Sequence, residues 1–129
     1  NVLAAKGFDI EFVEKHHRRK VDAPSGTALA IADGINAACN ERFHYVYDRE
    51  PRHTAREQDE IGISAVRGGT IPGDHDVLYA GEDEVLSLSH RAYSRRIFAQ
   101  GAVEAAKFLA GQKPGPYTMA DVIAASLEG

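Results

Sequence analysis

Cysteine is nearly absent: Cys39 is the only one in 129 residues. A single thiol closes no internal disulfide, so the fold must rest on its core, and the composition fits a reducing, cytoplasmic compartment. No uncharged apolar run approaches the ~20 residues of a membrane span, and the opening stretch has no basic-then-apolar leader. Aromatic residues make up 8% of the chain and are scattered, which gives no platform for stacked bases. Fifteen Lys and Arg against nineteen Asp and Glu leave a net charge of −4, a poor match to nucleic acid. Neither nucleic acid nor membrane is therefore expected as a partner. Methionine is equally scarce. Met119 stands alone and residue 1 is Asn, so the sequence reads as a piece of something longer.

What remains is a globular composition, 43% hydrophobic and 26% charged, at a length suited to one domain with a real core. The Ala- and Lys-rich start reads as the tail of a helix closed by Gly7. Phe8, Ile10 and Phe12 alternate with Asp9 and Glu11, predicting a half-buried strand over Phe8–Glu14. Ala28, Ile31, Ala32, Ile35 and Ala38 recur at helical spacing from about Gly26 to Ala38, behind Ser25 as N-cap. Phe43, Tyr45 and Tyr47 suggest a short strand, and Arg49–Glu57 a surface loop. Ile61, Ile63 and Ala65 mark a strand running to Arg67. His75–Ala80 and Val85–His90 read as a hairpin around Gly81-Glu82-Asp83, with Val85, Leu86 and Leu88 buried. A last long helix follows Ser94, its inner face carrying Phe98, Ala102, Ala105 and Leu109. Gly111 and Pro114 end it. Thr118 and Asp121 have capping-box spacing ahead of a short final helix. Four to six strands and two long helices, not strictly alternating, predict an α+β fold: one mixed or antiparallel sheet with helices on one face. No internal boundary divides residues 1–129.

Chemistry concentrates between Glu14 and Thr27. His16, His17, Arg18, Arg19 and Lys20 follow a strand, and the chain then enters a helix through Ser25-Gly26-Thr27. A helix start offers unpaired N–H groups and the positive end of the dipole. Gly26 lets an oxygen approach the backbone. Both halves favour a small anion such as a dicarboxylate. Histidine beside lysine also suits proton transfer, and crowding by other cations is expected to ease loss of the Lys20 proton. The same residues also fit an ordinary solvated basic loop and an ordinary helix cap. Metal binding by His16 and His17 has no Cys pair or HExxH to complete it, so no metal is assigned. His75 and His90, in strands, read as structural, and Cys39 as core packing.

The run Glu14-x-His16-His17-x-x-Lys20-x-Asp22-Ala-Pro-Ser-Gly-Thr-Ala resembles the signature of the dihydrodipicolinate reductase family. Arg67, Gly69, Gly73 and His75 fit that family's R-x-G-x-x-x-G-x-H segment. His90, Ala92, Ser94, Arg95, Phe98, Gly101 and Ala102 fit its H-x-A-x-S-R-x-x-F-x-x-G-A segment. The likeness covers roughly residues 8 to 123 and is to the family's C-terminal domain. It implies a separate N-terminal Rossmann domain, absent from this chain, that carries most of the NADH or NADPH site. It further implies His16 as acid/base and Lys20 as proton donor, and His17, Ser25, Gly26 and Thr27 as substrate ligands. Arg95 and Phe98 would lie near the cofactor. The substrate would be a cyclic imine dicarboxylate, and the assembly a homotetramer through the sheet, with Val77, Tyr79, Val85 and Leu88 as candidate contacts. The alternative is a non-catalytic oligomerisation module, or one that recruits an acidic partner through the basic loop.

Overall fold

The computed structural model describes residues 2–47 and 49–127. The chain divides into two compact units, Asn1–Tyr93 and Ser94–Gly129. The first begins with a single helical turn, α1 (Val2–Ala5), that Gly7 ends at φ +84. The order is then β1 (Asp9–His16), α2 (Gly26–Ala38), β2 (His44–Val46), β3 (Glu60–Arg67), β4 (Gly73–Gly81) and β5 (Glu84–Ala92). The strands form one mixed sheet in the order β2-β3-β1-β4-β5. β1 runs parallel to β3 and antiparallel to β4, which makes it the central strand. The α+β expectation is met.

The core follows from period-two alternation meeting a small-residue helix face. Ile10 and Phe12 of β1, Ile61 and Ile63 of β3 and Val77 of β4 are buried against Ala28 and Ala32 of α2. Alanine on that helix face lets it lie close to the sheet. Asn36, buried in α2, extends the packing. Its amide donates to the Phe43 carbonyl at 2.9 Å and its carbonyl accepts the Phe43 N–H at 2.9 Å, which aims the chain into β2.

The opposite sheet face mixes ion pairs with apolar residues, Val13, Val66 and Leu78 standing in register beside Glu11 and Lys15. Arg49 and Arg56, ahead of β3, reach Glu11, and Arg56 also meets Asp9 at 2.8 Å. Gly62 makes this possible: a Cβ there would fall 1.8 Å from the Glu11 carboxylate, which lies across β3.

Two expectations need correction. Val85, Leu86 and Leu88 are not buried; they are 62%, 47% and 59% exposed. β5 is an edge strand, and among the described residues the buried core cluster extends no further than Val77 of β4. Conversely Val77 is buried and Tyr79 packs on the core, so neither offers itself as a subunit contact.

The second unit holds α3 (Arg96–Leu109) and α4 (Met119–Leu127). Its inner residues also differ from expectation. Phe98 and Leu109 are about half exposed, while Gly101, Ala105 and Phe108 are the half-buried ones. Phe108 meets Tyr117 edge to face at 5.6 Å. The capping-box reading holds: Asp121 accepts from the Thr118 N–H at 2.6 Å and its hydroxyl at 2.8 Å.

Candidate functional site

The core face of β1 changes character along its length. Ile10 and Phe12 are followed, with the same parity, by Glu14 and His16, and all four are buried. His16 is thus the last residue of the strand and faces inward, not part of the loop that the sequence suggested. A buried carboxylate is expensive unless its acceptor sites are filled. Glu14 has all of them engaged. Arg67, directly beside His16 in the β1–β3 register, forks onto it at 2.8 and 2.6 Å. The Ser25 N–H donates at 3.0 Å, and His16 Nδ1 lies 2.6 Å away. Burial alone would raise the Glu14 carboxyl. The hydrogen bonds from Arg67 and His16, with the Arg67 charge and the Ser25 amide, outweigh it and hold the group below the ordinary carboxylate value.

Ser25 is the hinge between strand and helix. Its hydroxyl accepts the Ala28 N–H at 3.1 Å, an N-cap as expected, and meets His75 Nε2 at 2.9 Å. His75 stands opposite Glu14 in the β1–β4 register, and its ring packs edge to face on that of His16 at 5.1 Å. Burial, then the nearby His16 and His90, push His75 below the usual histidine value, so it is neutral near pH 7. Reading His75 as an isolated strand histidine missed this contact.

With Ala28 satisfied by the cap, the Gly26 and Thr27 amides stand ahead of it in the first turn, where a helix has no acceptors of its own. Both residues are exposed, and a Cβ on Gly26 would meet nothing within 4 Å. Gly73 lets the His16 ring pack close to the β4 backbone: a Cβ there would lie 3.1 Å from His16 Nε2.

Lys20 is tied into the same region through Asp22. Its ammonium pairs with the Asp22 carboxylate at 2.7 Å, and the Asp22 carbonyl accepts from Arg67 at 2.7 Å. The expected crowding by cations is therefore replaced by a carboxylate partner. His17 is half-buried just past the end of β1. Arg95 and Phe98 lie in the second unit, exposed at the start of α3, where the Ser94 hydroxyl accepts the Arg96 N–H.

Structure thus gathers His16, Ser25 and the first turn of α2 around Glu14, and it adds Arg67 and His75. The signal for Glu14 was its parity with Ile10 and Phe12: a carboxylate on a core face demands a cation. Among the described residues, one group has metal-ligand proximity, His44, Glu57 and Asp59. It is exposed, lies at the other end of β3 from Arg67, and includes neither His16 nor His17.

The chain is similar to known proteins over most of its length. Residues 1–123 match the family described as dihydrodipicolinate reductase, C-terminus. A 4-hydroxy-tetrahydrodipicolinate reductase from Caldanaerobacter subterraneus subsp. tengcongensis is 60% identical over 92% of this chain and 47% of its own length. One from Methanosarcina mazei is 53% identical over 90% of this chain and 43% of its own. The chain spans about half the length of the curated relatives it matches. A dipicolinate-bound dihydrodipicolinate reductase from Paenisporosarcina sp. TG-14 superposes with a TM-score of 0.59 at 32% identity, over 78% of this chain and 40% of the other.

Proposed function

This chain belongs to the dihydrodipicolinate reductase C-terminal family, and from that premise we propose that it is the substrate-binding and proton-handling part of an NAD(P)H-dependent 4-hydroxy-tetrahydrodipicolinate reductase. The observation that carries the reading is the Glu14 bridge: one carboxylate holds His16 at 2.6 Å and the Ser25 amide at 3.0 Å, joining a proton-carrying group to an anion-accepting helix start. The dipicolinate held by the solved relative is a planar ring with two carboxylates, the chemistry such a junction accommodates.

In this reading the exposed Gly26 and Thr27 amides take one substrate carboxylate at the positive end of α2. Ser25 acts by fixing that turn, since its hydroxyl is already engaged by Ala28 and His75. His17 and Lys20 meet the other polar groups of the ring, and the substrate carboxylate displaces Asp22 from the Lys20 ammonium. Loss of the ring hydroxyl as water leaves a conjugated imine, and hydride addition to that imine builds negative charge on a ring carbon. Lys20 delivers a proton there and His16 acts as acid/base, a contribution of about 10²–10⁴ in rate.

The mixed sheet of the first unit is not a doubly wound parallel sheet, so the body of a dinucleotide is assigned to a Rossmann domain outside this chain. Arg95 and Phe98, exposed, suit a cofactor edge: a guanidinium for phosphate and a ring for stacking. When bound, the nicotinamide supplies the hydride. A homotetramer through the sheet and a cytoplasmic setting complete the proposal. Val85 and Leu88 on the exposed edge strand are the surviving contact candidates, and sedimentation as monomer at micromolar concentration would contradict the assembly.

Titration of the protein with pyridine-2,6-dicarboxylate tests the central assignment. Saturable binding that Lys20→Ala abolishes supports it. Equal affinity in wild type and Lys20→Ala counts against it, as does equal affinity in Lys20→Arg, which would mark a site that reads net charge alone.

A further inference from the structure

We propose that Glu14 is a positioning residue for His16, fixing the imidazole proton on Nδ1 and leaving Nε2, on the Gly73 side, as the nitrogen that exchanges protons with substrate. This deepens the reductase reading and rests on it for the identity of the substrate.

Four donors converge on the Glu14 carboxylate. Two come from Arg67, one from the Ser25 backbone, and the fourth partner is His16 Nδ1 at 2.6 Å. A carboxylate in that setting can only accept, so Nδ1 must carry the hydrogen. The tautomer is decided by the hydrogen bond that the other nitrogen makes. Nε2 is then the position with a lone pair in the neutral ring and a hydrogen in the charged one. It is also the nitrogen that faces Gly73, where the lack of a side chain lets the ring pack close to the backbone: a Cβ there would sit 3.1 Å away. Arg67 and the Ser25 amide hold the carboxylate from two further elements, β3 and the entry to α2, so the imidazole is referenced to the same turn that presents Gly26 and Thr27. His75 packs against the ring edge, with its own Nε2 on Ser25, and limits ring rotation.

The test reads the tautomer directly. Long-range ¹H–¹⁵N spectra of the imidazoles in the ¹⁵N-labelled protein, at about pH 8 where histidines are mostly neutral, should show His16 protonated on Nδ1. Glu14→Gln should give a mixture of tautomers. In the whole enzyme it should lower kcat about 10- to 100-fold, with KM changed less than about 3-fold, as expected when a reacting group is misplaced. A wild-type His16 protonated on Nε2 overturns the proposal. So does an unchanged tautomer in Glu14→Gln, or a raised KM with unchanged kcat. Glu14→Gln leaves Arg67 poorly matched, so Glu14→Gln/Arg67→Met is the second variant, and the wild-type spectrum decides even if neither folds. Failure of the reductase reading registers separately, as a wild-type protein that binds no pyridine-2,6-dicarboxylate.

Discussion

Replacing Ser25 with alanine should cost far more than an exposed helix cap would. Ser25 is 2% exposed and its hydroxyl serves two partners, the Ala28 amide and His75 Nε2. Losing the cap costs about 1 kcal/mol. Leaving a buried histidine nitrogen without its partner adds about 1–3 kcal/mol. The sum, about 2–4 kcal/mol, is a large share of the ~5–15 kcal/mol that holds a typical domain. Urea denaturation should show a lower midpoint at unchanged slope. Ser25→Thr retains the hydroxyl at an extended N-cap (φ −67, ψ 148) and should stay within about 1 kcal/mol of wild type. A cycle with His75→Leu isolates the second contact: Ser25→Ala/His75→Leu should cost less than the two single changes together, by about 1–2 kcal/mol. A Ser25→Ala loss below about 0.5 kcal/mol, the level of an unremarkable surface change, or strict additivity in the cycle, would refute the claim that Ser25 locks strand β4 to the helix start.

Two further outcomes follow from the same cluster. Gly73→Ala puts a Cβ 3.1 Å from His16 Nε2, so the ring must yield by a few tenths of an ångström; in the proposed reductase turnover should fall about tenfold or more with little change in urea midpoint, and unaltered turnover would contradict the role of that close packing. His75 sits below its ordinary 6.5, so the unfolded chain takes up this proton first as pH falls. The stability it contributes is complete above about 6.5 and is lost as pH drops through that value toward the folded one. Glu14 behaves likewise below the ordinary 4.5 of a glutamate. Urea midpoints against pH should therefore show two acid-side declines, the upper one removed by His75→Leu; an identical profile in that variant would contradict the assignment.

Much of this fold was legible because its core obeys simple periods. Ile10, Phe12, Ile61 and Ile63 alternate, and Ala28 and Ala32 recur at helical spacing, so sheet and helix could be read locally. The hairpin at Gly81-Glu82-Asp83 and the Thr118–Asp121 cap carry their own turn chemistry. What was not legible depended on neighbours distant in sequence. Val85, Leu86 and Leu88 look buried until strand order makes β5 an edge. Lys20 looks crowded by cations until Asp22 is seen to pair with it. The helix start and the basic segment were visible as an anion site, whereas the group joining them was hidden. Arg67 lies 53 residues from Glu14 and His75 lies 50 from Ser25, separations no local pattern spans. The overlooked clue was that Glu14 and His16 continue the buried face of β1.

The central claim is that a ring dicarboxylate docks where His16 meets the first turn of α2. Backbone amide shifts of the ¹⁵N-labelled protein, followed while pyridine-2,6-dicarboxylate is added, test it most directly. Saturating shifts concentrated at Gly26, Thr27 and the residues around His16 and Lys20 are the expected result. Saturation with those amides unmoved, or no saturable shift at all, would contradict it.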